Sequence, residues 1–319
     1  MFFGVLITVK EKNRACARII KHCHAPKTFI NNIKLRDHST MPKVDMYVAG
    51  PPCTKYSALG KQEGTCHEDG RLYEHCLEYI AEKKPILVII ENVKNLHVRF
   101  KEIADHMMKT IETVGYDVDY HILDTANFGL PHRRSRWYLV AIRSDHCRRN
   151  AGGVPHWPSP YPSVIPLDAI ITPLPEGQWR PHPDNDLGKK NVLNAYAKVV
   201  ADGANPFLNH VIVDVGSSEE YSYHLVEKCP TLTRARAGSF GYWDSKKGGT
   251  LDLQEMCLLQ GFNLSDIDYK GAGVTEKQVA AAVGNMMSVN VLMSLFPLAL
   301  YRAKLITRDM LRAMQDRQD

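Results

Sequence analysis

The chain has 319 residues, 44% hydrophobic and 24% charged, with a net charge of +5. Those proportions belong to an ordinary globular protein and exclude a disordered, collagen-like or low-complexity chain. No apolar run approaches the roughly 20 residues that a membrane-crossing helix needs. Eight cysteines without paired C-x-x-C spacing exclude a disulfide scaffold, and no metal is expected from His22-Cys23-His24 or Cys66-His67. A soluble, intracellular chain follows, nuclear in a eukaryote and cytoplasmic in a bacterium or virus.

In chain order, residues 4–9 predict a short strand and 13–22 a helix packing through Ala15, Ala17, Ile19 and Ile20. Residues 44–49 predict a strand that ends in the turn Gly50-Pro51-Pro52-Cys53. Residues 71–83 predict an amphipathic helix, with Leu72, Cys76 and Ile80 four apart. Pro85 then precedes Ile86-Leu87-Val88-Ile89-Ile90, an apolar run that suits a strand covered on both faces. A helix over 99–114 stops near Gly115, and strands follow over 116–123 and 137–142. This alternation predicts a parallel α/β sheet. The proline-dense stretch 152–183 leads into a second lobe. Helical patterning returns at 252–259, 275–283 and 289–311.

Two strand ends carry reactive groups. Cys53 follows a Pro-Pro turn whose backbone has little freedom, which suits a positioned nucleophile. Glu91 directly follows the apolar strand, where a carboxyl needs a partner or a raised pKa. Ligands collect at such carboxyl ends in parallel α/β sheets. Basic residues cluster at Arg133, Arg134, Arg136, Arg143, Arg148 and Arg149, and again at Arg234, Arg236, Lys246 and Lys247.

Five blocks occur in order: Gly50-Pro51-Pro52-Cys53, Glu91-Asn92-Val93, Pro131-His132-Arg133-Arg134-Ser135-Arg136, Gln260-Gly261-Phe262 and Gly284-Asn285. The chain resembles the cytosine-C5 DNA methyltransferases over nearly its whole length. The resemblance implies a Rossmann-like, S-adenosylmethionine-dependent α/β sheet with a smaller target-recognition lobe. It divides the chain into a catalytic domain (1–148), a recognition lobe (149–263) and a C-terminal segment packing back on the catalytic domain (264–319).

The resemblance also implies roles. Cys53 matches the thiolate that adds to C6 of a flipped-out cytosine. Glu91 matches the carboxyl at N3 and the exocyclic amine, and Arg136 the guanidinium at O2. Arg134, the other arginine of that block, is grouped with the catalytic residues. Cofactor positions match Glu11, Ile33, Leu72 and Asn285. DNA is the implied partner, contacted through Thr231, Leu232, Thr233, Arg234 and Arg236.

Three departures carry expectations. The family's Gly-rich opening block has no counterpart, so the first strand and its helix are expected to be missing. His132 stands where the family has Gln. Gln254 stands where it has an arginine beside Glu255, which predicts a loosened recognition lobe. An N-terminally incomplete active enzyme is the favoured reading, on the strength of Cys53, Glu91 and Arg136. A DNA-binding relative without catalysis and a tRNA cytosine-C5 methyltransferase are the alternatives. The tRNA branch carries Cys-Phe-Thr where this chain has Pro230-Thr231-Leu232-Thr233.

Overall fold

The structure is a computed structural model that describes residues 14–30, 32–52, 71–149 and 151–316. The strand expected at 4–9, together with Glu11 and Cys53, lies outside the described residues.

Helix α1 (Arg14–His24) is followed by β1 (Met46–Ala49), α2 (Glu74–Lys83) and β2 (Leu87–Val93). The short α3 (Lys94–Arg99) and α4 (Lys101–Thr113) lead into β3 (Tyr116–Asp124) and β4 (Ser135–Arg143). These strands form one sheet in the order β1-β2-β4-β3. The sheet is mixed, which corrects the expectation of an all-parallel one: β1 runs parallel to β2, but β4 is antiparallel to both β2 and β3. The reason is the β3–β4 connection, which carries only the short turn Thr125–Asn127. A parallel pairing needs a crossover of a dozen or more residues, usually helical, whereas an antiparallel one closes through a loop.

The run Leu87–Ile90 is fully buried because both faces of β2 are covered. Val88 and Ile90 pack with Trp137, Leu139, Leu72 and Tyr79 on one face. Leu87 and Ile89 pack with Tyr138, Val140, Leu295 and Leu298 on the other.

The second lobe contains α5 (Asp186–Ala201), β5 (Val211–Asp214), β6 (His224–Val226), α6 (Arg234–Gly238), β7 (Tyr242–Asp244) and β8 (Gly249–Thr250). Its strands make an antiparallel sheet ordered β6-β5-β7-β8. The chain continues through α7 (Leu253–Leu258), α8 (Glu276–Asn285), α9 (Val289–Arg302) and α10 (Arg308–Gln315). The single helical stretch expected over 289–311 is two helices. Lys304 takes a left-handed φ of +56°, and the Leu305 and Lys304 amides donate to the Leu300 and Tyr301 carbonyls. This Schellman ending stops α9, and the Thr307 side chain caps α10.

Two segments sit apart from where the sequence suggests. Ala15 of α1 and Val279, Ala280 and Val283 of α8 join the core of the second lobe with Leu232, Tyr242 and Met256. Helices α9 and α10 instead cover the first sheet, joined there by Ala151, Val154 and Tyr161. Among the described residues no single helix is long and apolar enough to cross a membrane, although α8 and α9 together, bent by 45°, have the length and composition to do so.

Candidate active site

Parallel pairing sets Ala49, the last residue of β1, beside Ile90 of β2, so the chain leaves β1 alongside the final residues of β2. Gly50 and Glu91 therefore meet. A Cβ on Gly50 would stand 3.0 Å from Met287 Cε and 3.7 Å from Glu91 Oε2. A larger residue here would have to displace the Met287 methyl by a few tenths of an ångström. Buried Asn92 ties the two strand ends together: its Nδ2 donates to the Pro51 carbonyl at 3.3 Å, and its Oδ1 accepts from the Val93 amide at 2.9 Å.

Across the antiparallel pair β2–β4, Glu91 faces Tyr138 and Val93 faces Arg136. Glu91 and Arg136 are thus diagonal neighbours on one sheet face, within reach of long side chains. Arg136 Nε lies 3.2 Å from Glu91 Oε1, with the side chains 14% and 12% exposed. Burial at that level keeps the pair largely out of water while leaving an edge accessible to a ligand. Burial, reinforced by the Glu91 charge, pushes the Tyr138 hydroxyl well above its ordinary pKa, so it stays neutral.

The preceding residues of the arginine block have other work. Arg134 is buried, and its guanidinium donates to the main-chain carbonyls of Leu232, at 2.9 Å, and of Gly284 and Met286. Arg134, grouped with the catalytic residues as a support of the same site, joins the loop before β4 to the second lobe and to the end of α8. His132, fully buried, does the same from the other side. Its Nδ1 lies 3.0 Å from the Leu259 carbonyl, and its Nε2 accepts from the Leu232 amide at 3.1 Å. The amide fixes Nε2 as acceptor and therefore Nδ1–H as donor. Burial, then the Arg134 charge, lowers the His132 pKa to about 3, so the ring is neutral. A neutral imidazole offers one donor and one acceptor, as a glutamine amide does, which explains how His can stand at this position.

The five positions expected to contact DNA separate. Leu232 is fully buried in the second core and cannot present its side chain to DNA, which corrects that assignment. Thr231 Oγ1 donates to the Arg133 carbonyl, and the Thr233 amide donates to the Tyr242 hydroxyl at 2.9 Å. Arg236 is turned back onto Asp214, with Nε to Oδ1 at 3.1 Å. Arg234 at the start of α6 is exposed.

Among the cofactor positions, Ile33 and Leu72 share the core on the α2 side of the sheet. Asn32 caps the turn Ile33–Leu35 by accepting from the Lys34 amide. Leu72 also lines an open groove of about 460 Å³ with Lys34, Arg71, Glu74 and His75. Asn285 is exposed at the end of α8, one residue before the Met286 carbonyl that Arg134 holds.

The sequence places Lys247 only in a basic cluster and does not show its pairing. Glu255 is buried without the neighbouring arginine, yet Lys247 Nζ reaches its Oε1 at 2.6 Å from the loop after β7. The Thr172 and Asp252 amides donate to the same carboxylate at 2.9 Å. Burial raises the Glu255 pKa against these favourable contacts. The charge partner of Glu255 comes from a different segment, so no local signal at Gln254 could reveal it.

The family model for C-5 cytosine-specific DNA methylases matches residues 4–297. The type II methyltransferase M.BsuFI of Bacillus subtilis is 30% identical over 280 residues, covering 83% of this chain and 62% of that protein. M.HhaI of Haemophilus parahaemolyticus is 32% identical over 263 residues, covering 80% of this chain and 76% of its own. The chain thus spans less than two thirds of the length of the Bacillus subtilis relative, and 30% of the type II methyltransferase M.MspI of Moraxella. In fold it is similar to the methyltransferase EhMeth of Entamoeba histolytica, with a TM-score of 0.63 at 14% identity over 95% of this chain and 90% of that one. With a mixed α/β methyltransferase sheet, a diagonal Glu91–Arg136 pair at its carboxyl edge and a family match over most of its length, the chain belongs to the C-5 cytosine-specific DNA methylase family.

Proposed function

We propose that the chain transfers a methyl group to C5 of a flipped-out cytosine in DNA. The observation that carries this reading is the Glu91–Arg136 pair, 3.2 Å apart beside Gly50. Cys53 follows Gly50 by three residues, so the chain can carry it no further than roughly 11 Å from that glycine. That reach is compatible with a thiolate, a carboxyl and a guanidinium serving one base.

In this reading the Cys53 thiolate forms a bond to C6, and the displaced ring electrons reach N3. Glu91 gives N3 a proton there, and Arg136 offsets charge at O2. The ring is then enamine-like, with C5 able to act as a nucleophile. The family uses S-adenosylmethionine, which when bound supplies the methyl as an electrophile. Loss of the C5 proton to a base, departure of Cys53 as the thiolate and return of the N3 proton to Glu91 restore the ring and the starting groups.

The groove lined by Leu72, Lys34, Arg71, Glu74 and His75 supports a place for that cofactor. Its volume lies within the roughly 300–1,000 Å³ of small-molecule sites, and Ile33 backs it from the core. Residues 1–148 are read as the catalytic part, 149–263 as the recognition lobe and 264–319 as the closing segment. Arg234, exposed at the lobe surface, suits a phosphate or base contact.

The test is mechanism-based trapping. The full chain is incubated with cofactor and duplex DNA containing 5-fluorocytosine, where the missing C5 proton blocks release of the adduct. A covalent complex that Cys53→Ser abolishes is expected. Retained DNA binding with no adduct and no methyl transfer would identify a binding protein instead, and adducts on tRNA alone would identify the RNA branch.

A further inference from the structure

Apart from the methyl-transfer groups, a second set of converging side chains lies on α2. His75 and Glu78 stand three residues apart, hence on one helix face. His38 approaches from the turn before β1. Its Nε2 lies 3.1 Å from Glu78 Oε2, and His75 Nδ1 lies 3.1 Å from the same oxygen. These three atoms all fall within 4.8 Å of one another.

The frame behind them is fixed. Tyr79 OH donates to the Pro42 carbonyl at 2.7 Å, and Lys83 Nζ to the Ser39 carbonyl at 2.9 Å. Arg36 donates to the His75 carbonyl and stacks over the Tyr79 ring. Asp37 closes the turn by accepting from the Ser39 amide and hydroxyl. The 36–42 segment is therefore clamped to α2 independently of the trio, which brings the trio close to its final geometry before any ligand binds.

We propose that His38, His75 and Glu78 bind a first-row divalent transition ion of the Zn²⁺ type. Bonds of about 2.0–2.1 Å give ligand-to-ligand edges of roughly 3.3 Å in a tetrahedral site. The two 3.1 Å imidazole–carboxylate hydrogen bonds, which an ion would displace, already hold the atoms within a few tenths of an ångström of that edge. Two imidazoles and one carboxylate form the donor set that such ions prefer, whereas Ca²⁺ and Mg²⁺ take oxygen alone. The His38, His75 and Glu78 side chains are 13%, 29% and 55% exposed, so the open side admits a water as fourth ligand. An ion here would lock the 36–42 segment to α2 at the rim of the groove that His75 and Leu72 line. Of the groups read as serving methyl transfer the site shares only His75, at the groove rim, and its test is run without the methyl donor or DNA, so the two readings fail separately.

The full chain is stripped with a chelator, titrated with Co²⁺ as a spectroscopic probe, and then challenged with Zn²⁺. One equivalent of Co²⁺ is expected, with visible ligand-field bands and no thiolate-to-metal charge-transfer band, and Zn²⁺ is expected to displace it. His75→Ala and Glu78→Gln should each abolish the one-equivalent site, while His22→Ala, on the far α1–Asp268 contact, should retain it. Far-UV circular dichroism identifies any variant that fails to fold, and the remaining variant then decides. Absence of saturable binding by the unmutated chain overturns the proposal. So does a thiolate charge-transfer band, which would assign the ion to cysteines, or a site unchanged in the folded variants.

Discussion

His132 is the place where acid should act on this fold. Its ring is fully buried between the Leu259 carbonyl and the Leu232 amide, with a folded pKa of about 3 against an ordinary 6.5. The sign follows from linkage. Between those two values the unfolded chain binds a proton that the folded chain refuses, so stability is full above pH 6.5 and declines as pH falls toward 3. The slope for one group approaches about 1.4 kcal/mol per pH unit. Between pH 7 and 5 His132 alone should therefore remove about 2 kcal/mol.

The matched variant is His132→Gln, which keeps one donor and one acceptor but cannot take up the proton. Urea unfolding of both proteins at pH 7, 6 and 5 gives the difference directly. Other titrating groups cancel, including His210, whose burial is outweighed by the Asp244 and Asp168 carboxylates that raise its pKa. The expected outcome is a gap that widens by about 2 kcal/mol in favour of the variant as pH falls to 5. Parallel curves would refute the buried neutral imidazole and, with it, the account of how His replaces Gln here.

Glu91→Gln should lower methyl transfer at least 100-fold, the scale of a lost general acid (~10²–10⁴), with circular dichroism unchanged; labelled-methyl incorporation into DNA measures it. Arg134→Met leaves three buried carbonyls without their donor and should destabilise by about 3 kcal/mol, read as a lower urea midpoint. Lys247→Met strands the buried Glu255 carboxylate and should cost about 3–5 kcal/mol. Adding Glu255→Gln to it should recover part of that loss, since no unpaired charge then remains; thermal unfolding of the single and double variants compares them.

The parts of the fold legible in the sequence are those where one physical cause dominates. β2 is covered on both faces, so it reads as an unbroken apolar run. The termini of α7 and α8 carry capping boxes, Asp252 with Glu255 and Thr275 with Gln278. Strand direction was not legible, because a short apolar run looks the same whether its neighbour runs with it or against it. The small strands β6, β7 and β8 offer two or three residues each, too few for a period to show. Helix α5 was missed beneath the proline-rich approach, although Asn185 caps it through the Gly188 amide.

Within the site, residue type and order pointed to Glu91 and Arg136, while burial could not be read from either. Arg134 and Arg136 stand two residues apart, yet one grips carbonyls and the other the carboxylate. The difference is the strand: Arg136 lies inside β4 in register with Val93, and Arg134 lies just ahead of it, beside the Thr125 amide that its own carbonyl accepts. Leu232 makes the same point from the other lobe. Its amide, its carbonyl and its side chain are all committed inward, to His132, Arg134 and the second core. The arginine block is thus a joint as well as a site: the residues that fix the second lobe immediately precede the residue that meets the carboxylate. A substitution that loosens His132 or Arg134 should consequently be felt at Arg136 through the backbone, two residues away, without touching the base.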